Sequence, residues 1–156
     1  MRLPAQGALN FGTGFTSPDS ASTFTIPSAA AKAVTVGAYD AGTGSAASFS
    51  GRGYIVEIGG SLMVKPELAA PGVNVLVPSV SGMARVSGTS YATPFVTGSA
   101  ALLMEWGIVR GNDAFLYGEK LKAYLIKGAE PLAGAAVPDT QTGWGRLCLK
   151  NSLPQA

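Results

Sequence analysis

The apolar and polar positions of this chain fall into long polar stretches interrupted by a few short β-branched runs and one long apolar run. Residues 1–24 are rich in Gly, Ser, Thr, Ala and Pro, with Phe11, Phe15 and Phe24 scattered without a period. They predict loop, and residues 1–22 form a loop-rich lead-in. Thr23 to Pro27 alternates apolar with polar and predicts an edge segment. Val34-Thr35-Val36-Gly37-Ala38-Tyr39 is continuous and β-branched and is bounded by Asp40 and Gly42, which predicts a buried strand over 34–39. Asp40 to Ser48 reads as a turn-rich loop, and Tyr54 to Gly60 as a hairpin or excursion. Val73 to Val77 predicts a short strand after the Pro71-Gly72 corner, and Ser79 to Val86 a loop containing Gly82.

The long apolar run, Phe95 to Met104, meets no charged residue until Glu105. A helix apolar all round is a buried one, so this segment predicts a helix covered on all sides. Pro94 fixes where it begins. In a helix interior its ring would clash with the carbonyl of Ser90, four residues back, which places Ser90 at or just before the first turn. Gly107 predicts the stop, as a C′ glycine. Asn112 or Asp113 is the expected cap of a second helix. Its Tyr117, Leu121 and Leu125 share one face beside Tyr124, with Lys120, Lys122 and Lys127 toward water and Gly128 at its end. Gly143-Trp144-Gly145-Arg146-Leu147-Cys148-Leu149 closes the chain as a packed segment anchored by Trp144.

Composition narrows the picture. The 156 residues are 47% hydrophobic and only 13% charged, where about a quarter charged is usual for a free-standing domain. No uninterrupted apolar run approaches the ~20 residues that span a bilayer, so the apolar excess points to surface buried against more protein. The net charge of +2 is small and scattered and favours neither nucleic acid nor a membrane surface as partner. The single Cys148 cannot close an internal disulfide and reads as a small buried hydrophobe. Met1-Arg2-Leu3-Pro4 leads into polar sequence with no apolar signal core, which favours a cytoplasmic setting over secretion.

The candidate chemistry lies at the head of the apolar run. Ser90 follows Gly88-Thr89 and sits where free N–H donors and the helix dipole favour a hydroxyl nucleophile or a bound oxyanion. A Ser before an apolar helix is most often only an N-cap. The elbow of the α/β-hydrolases needs Gly where this chain has Ala92, and a His downstream of the Ser. A Ser-x-x-Lys acyl enzyme needs Lys where this chain has Thr93. The chain contains no histidine at all, so it cannot hold a complete Ser-His-Asp triad.

The full string Gly88-Thr89-Ser90-Tyr91-Ala92-Thr93-Pro94, followed by Val96-Thr97-Gly98-Ser99-Ala100-Ala101-Leu102, resembles the nucleophile signature of the subtilisin-like serine proteases, the subtilases. Three further blocks resemble that family in the expected order: Ile26-Pro27 through Asp40, Ala47-Ser48-Phe49-Ser50-Gly51-Arg52-Gly53, and Lys65-Pro66-Glu67-Leu68-Ala69-Ala70-Pro71-Gly72-Val73, with Glu67 where Asp is usual. Residues 3–10 and 143–149 resemble one branch, the Csp-type germination proteases of spore-forming bacteria.

The resemblance implies an α/β fold, a three-layer α/β/α subtilisin-like domain with a mostly parallel sheet, of which residues 1–156 are the C-terminal portion. It implies that Ser90 is the catalytic nucleophile. The oxyanion would be supported by the Ser90 backbone N–H and the Thr89 hydroxyl. The substrate would be a protein or peptide, with no cofactor and no metal. The family's Asp, His and oxyanion Asn lie upstream of the Ile26-Pro27 block and have no counterpart here. Met1 therefore reads as an internal start, the isolated chain as inactive, and the missing N-terminal half of the domain as its partner. The same resemblance implies a cis Ile26-Pro27 bond and an uncovered edge on the 34–39 strand. The alternative is a non-catalytic, subtilase-like pseudoprotease or regulatory module.

Overall fold

The computed structural model describes residues 12–154; the N-terminal part of the Csp-like resemblance and Met1 lie outside them. β1 (Val36–Asp40) and β2 (Ser45–Ala46) are followed by the hairpin β3 (Tyr54–Ile58) and β4 (Ser61–Lys65). Then come β5 (Leu68–Pro71), the hairpin β6 (Val75–Ser79) and β7 (Gly82–Val86), and the helices α1 (Thr89–Met104), α2 (Gly118–Lys127) and α3 (Leu149–Ser152).

The central sheet has the order β2-β1-β5. β1 and β5 run parallel, with Val36 opposite Leu68 and Tyr39 opposite Pro71. Beyond β5 the closing segment adds a parallel bridge between Ala69 and Arg146, fixed by Ala69 N–H to Gly145 O at 2.8 Å and Leu147 N–H to Ala69 O at 2.8 Å. The β-branched run that predicted a strand over 34–39 does form one, beginning two residues later and ending one residue later, at Val36–Asp40. Its far edge is not bare as expected. β2 pairs there, Ala47 N–H donates to Ala38 O at 2.9 Å, and Ala38 N–H donates to Ser50 Oγ at 3.0 Å. The Ile26-Pro27 bond is cis, as the resemblance implied.

α1 packs on β1 and β5 through Ala92, Val96, Ser99 and Leu103, a single stripe at helical spacing. These side chains join Ala38, Leu68, Ala70, Leu116 and Leu125 in one core. The rest of α1 is open: Tyr91, Phe95, Leu102 and Met104 are all exposed. The helix is therefore apolar all round but covered on one side only, contrary to the expectation of burial on every side. It also runs past Gly107. A π-helical segment, Glu105–Val109, continues it, with Gly107 buried inside. Thr89–Val109 thus makes 21 helical residues, long enough and, over an 18-residue stretch, apolar enough to cross a membrane. The sequence count missed this because Glu105 interrupts the apolar run. The buried stripe against β1 and β5 is the packing of a core helix.

Other expectations are corrected in detail. Residues 79–86 are not a loop but the turn and second strand of a hairpin, with Val75 opposite Val86 and Ser79 opposite Gly82. Thr23–Pro27 forms no strand; Thr23 N–H donates to Arg52 O at 2.7 Å. α2 begins after Tyr117, which is exposed, rather than at Asn112 or Asp113. Asp113 instead accepts from Lys120 Nζ at 2.6 Å and from Phe115 N–H at 3.3 Å, closing the turn ahead of the helix. Gly128 caps α2 as expected. Cys148 is half-buried beside α3 rather than fully buried.

Candidate active site

Ser90 is the second residue of α1 and is exposed. Its N–H belongs to the first turn, where no intrahelical acceptor exists. Pro94 cannot donate back to the Ser90 carbonyl. The neighbouring turns are tightened instead by hydroxyls: Thr93 Oγ1 donates to Thr89 O at 3.0 Å, and Thr97 Oγ1 to Thr93 O at 3.2 Å. The helix has no side-chain cap. Its N-cap is Gly88 at φ 155°, ψ 155°, a conformation that L side chains rarely adopt. A glycine is needed at this corner for the chain to enter α1 directly.

Two backbone bonds tie this corner to the sheet. Gly88 N–H donates to Gly72 O at 2.8 Å, and Gly72 N–H donates to Tyr39 O at 3.0 Å. Ser90 is thereby held beyond the carboxyl ends of the parallel strands β1 and β5, where open α/β sheets place their ligands. Gly72 is required for space. A Cβ there would lie 2.6 Å from Ala38 Cβ and 3.1 Å from Gly88 O. In the complete protein, Gly72→Ala is expected to cost about 1–3 kcal/mol, the usual penalty of overpacking, and to lower the thermal midpoint. An unchanged melting temperature would contradict the anchoring role given to Gly72.

Thr89 is half-buried and borders a cavity of about 390 Å³ shared with Phe24, Thr25, Thr35, Phe49 and Ser50. The lining carries hydroxyls and aromatic rings and no charged side chain. The structure thus brings both sequence-predicted site residues, Thr89 and Ser90, to one corner, with a cavity against Thr89.

Behind that cavity lies a charged cluster the sequence did not reveal. Glu67 is buried, and its Oε1 pairs with Lys65 Nζ at 2.7 Å and with Lys122 Nζ. Its Oε2 accepts from Thr35 N–H at 2.7 Å. Lys65 also donates to Ala33 O at 2.7 Å and Thr35 Oγ1 at 3.3 Å, and Lys122 to Ala31 O at 2.9 Å. Burial pulls the Lys65 ammonium below its usual value, against the hydrogen bond to Glu67 that holds it up. Lys122, expected to face water, is therefore mostly covered.

Comparison with known proteins decides the family. The model of the subtilase family matches residues 8–145. The chain belongs to the subtilase family. Among solved structures it is similar to the CspB protease of Clostridium perfringens, with TM-score 0.79 and 44% identity over 90% of this chain and 30% of that one. The self-cleaved protease domain of PatA is similar at TM-score 0.61 and 29% identity, over 81% of this chain and 42% of that one. Subtilisin-like protease 1 of Pseudogymnoascus destructans is 41% identical over 92 residues, 57% of this chain and 20% of that protein. The chain thus spans less than half the length of each of these relatives. The fold is the α/β subtilase fold, present in part, and the likeness to CspB agrees with the Csp branch inferred from the sequence.

Proposed function

We propose that Ser90 is the nucleophile of a serine endopeptidase whose imidazole and carboxylate come from polypeptide outside residues 1–156. The observation that carries this reading is an exposed Ser90 in the first turn of α1, directly after a Gly88 corner tied to the ends of two parallel strands. Family membership supports it, and so does the absence of any histidine to do the same work within the chain.

In this mechanism Ser90 Oγ attacks the carbonyl carbon of a peptide bond, and its proton passes to the imidazole. The tetrahedral oxyanion accepts a hydrogen bond from the Ser90 N–H, with the Thr89 hydroxyl in support and a second donor from outside the chain. The imidazolium then protonates the leaving amine. Water, deprotonated by the same imidazole, hydrolyses the acyl-enzyme and restores the Ser90 hydroxyl.

A fluorophosphonate probe tests the reading. The complete protein should become labelled stoichiometrically, with the phosphonyl group on Ser90 by mass spectrometry. Residues 1–156 alone should stay unlabelled on the same timescale. Prompt labelling of the isolated chain would remove the need for an outside imidazole. No labelling of the complete protein would favour a non-catalytic subtilase-like module.

A further inference from the structure

We propose that the buried Lys65–Glu67–Lys122 cluster positions the substrate-binding wall of the site, acting through Thr35 and Ser28 on the cavity beside Thr89. This rests on the reading of Ser90 as the nucleophile. The route is a continuous series of hydrogen bonds. Lys122 on α2 and Lys65 at the end of β4 both pair with Glu67. Glu67 holds the backbone of Thr35 at 2.7 Å, and Thr35 Oγ1 donates to Ser28 O at 2.6 Å. Ser28 Oγ in turn lies 3.3 Å from Thr25 Oγ1. Thr25, Ser28 and Thr35 all line the cavity, and Thr89 lines it from the side of α1.

The segment 25–35 contains no strand or α-helix of its own. Its own turns (Ser28 N–H to Thr25 O at 2.8 Å, Ala30 N–H to Pro27 O at 2.9 Å) and the Glu67 N–H bond to Thr35 O at 3.0 Å are joined by side-chain bonding from elsewhere. Ala31 O and Ala33 O accept from the two lysines, and Thr35 N–H is held by the carboxylate. A buried carboxylate shared by two ammonium groups is costly unless each polar atom finds a partner. Here no buried side-chain polar atom is left without one among the described residues. Networks satisfied in this way hold one geometry better than they stabilise a fold. The geometry held is that of a wall facing the residue next to the nucleophile. Glu67, Lys65 and Lys122 touch neither the cavity beside Thr89 nor Ser90, so they are positioning residues.

Two substitutions in the complete protein test this. Thr35→Val removes the hydroxyl link to Ser28 while leaving every charge in place, and Lys122→Met removes one cation but keeps the stem. Both are expected to raise KM for a peptide substrate about tenfold while kcat changes by less than about threefold, because a displaced wall weakens ground and transition states alike. Thr35→Ser, which keeps the hydroxyl, should restore the wild-type KM. Fluorophosphonate labelling at Ser90, which needs no peptide in the cavity, should proceed at the wild-type rate in Lys122→Met, a residue that does not line the cavity. KM within about twofold of wild type for Thr35→Val would overturn the proposal, since that variant alters no charge and tests the link even where Lys122→Met does not fold. If wild type itself takes up no label, the reading of Ser90 fails. If it labels and KM does not move, only the positioning role fails.

Discussion

Replacing Ser90 by Ala in the complete protein is expected to lower kcat for peptide hydrolysis by about a millionfold, the scale of loss known for the nucleophile of subtilisin itself, a member of this family. The size follows from how a triad works. Without Oγ there is no acyl-enzyme, and the imidazole has nothing to activate. Residual turnover comes only from binding and from the oxyanion donors, which Ser90→Ala leaves intact because the residue-90 N–H is main chain. KM should change little, since the side chain is a single exposed hydroxyl at a backbone corner set by Gly88 and Gly72 rather than by Ser90. A Thr89→Ala change should cost far less, at most on the order of a hundredfold, because it removes support for the oxyanion and not the nucleophile. Steady-state kinetics on the two purified variants check both. If Ser90→Ala retains more than a few per cent of wild-type kcat, Ser90 is not the nucleophile.

Residues 1–156 produced alone are expected to self-associate and to bind a hydrophobic dye. α1 presents Tyr91 at 37%, Phe95 at 43% and Leu102 at 55% exposure on the side away from β1 and β5. An apolar groove of about 310 Å³ runs between this helix and the β6–β7 hairpin, lined by Val75, Leu76, Val77, Tyr91, Pro94 and Phe95. Scattered apolar residues on a surface are ordinary, but a contiguous set along one helix marks a face that packs against protein. With only 13% charged residues there is little like-charge repulsion to keep copies apart. Sedimentation velocity over a concentration series, with a dye titration alongside, reads the effect. A monomer at all concentrations, with a cooperative melt in the ~45–65 °C range of mesophile domains, would show that the exposed face of α1 needs no cover.

The parts of this molecule legible in the sequence were those fixed by neighbours close along the chain. Pro94 alone placed Ser90 in the first turn, because the proline clash acts over four residues. The β-branched run at 34–36 marked β1, and Gly128 marked the end of α2. Part of what escaped was fixed by partners far away. Lys122 reads as water-facing with the other lysines of α2 because it is charged, yet it lies on the face of Leu125 and Ile126 and pairs with Glu67, 55 residues earlier. Nothing within α2 reports that carboxylate. The one local sign was Glu67 itself, an ionisable residue inside the otherwise apolar Leu68-Ala69-Ala70 approach. The β6–β7 hairpin was missed because Gly82-Met83-Ala84-Arg85 has weak strand propensity, and its register is imposed by pairing with β6. Burial of α1 on all sides was overestimated for a related reason. An apolar composition tells what a helix face requires, and the core within residues 12–154 supplies cover for one stripe only.

The most direct measurement of the central claim is an experimental structure of the complete protein, reading the surroundings of Ser90 Oγ. The account predicts a histidine Nε2 from outside residues 1–156 within hydrogen-bond reach, about 2.6–3.2 Å or somewhat looser without substrate, its Nδ1–H donating to a carboxylate. It also predicts that the faces of Tyr91 and Phe95 are covered by the same polypeptide that brings the histidine. A complete protein with no imidazole near Ser90, or with the open face of α1 still exposed to solvent, would contradict it.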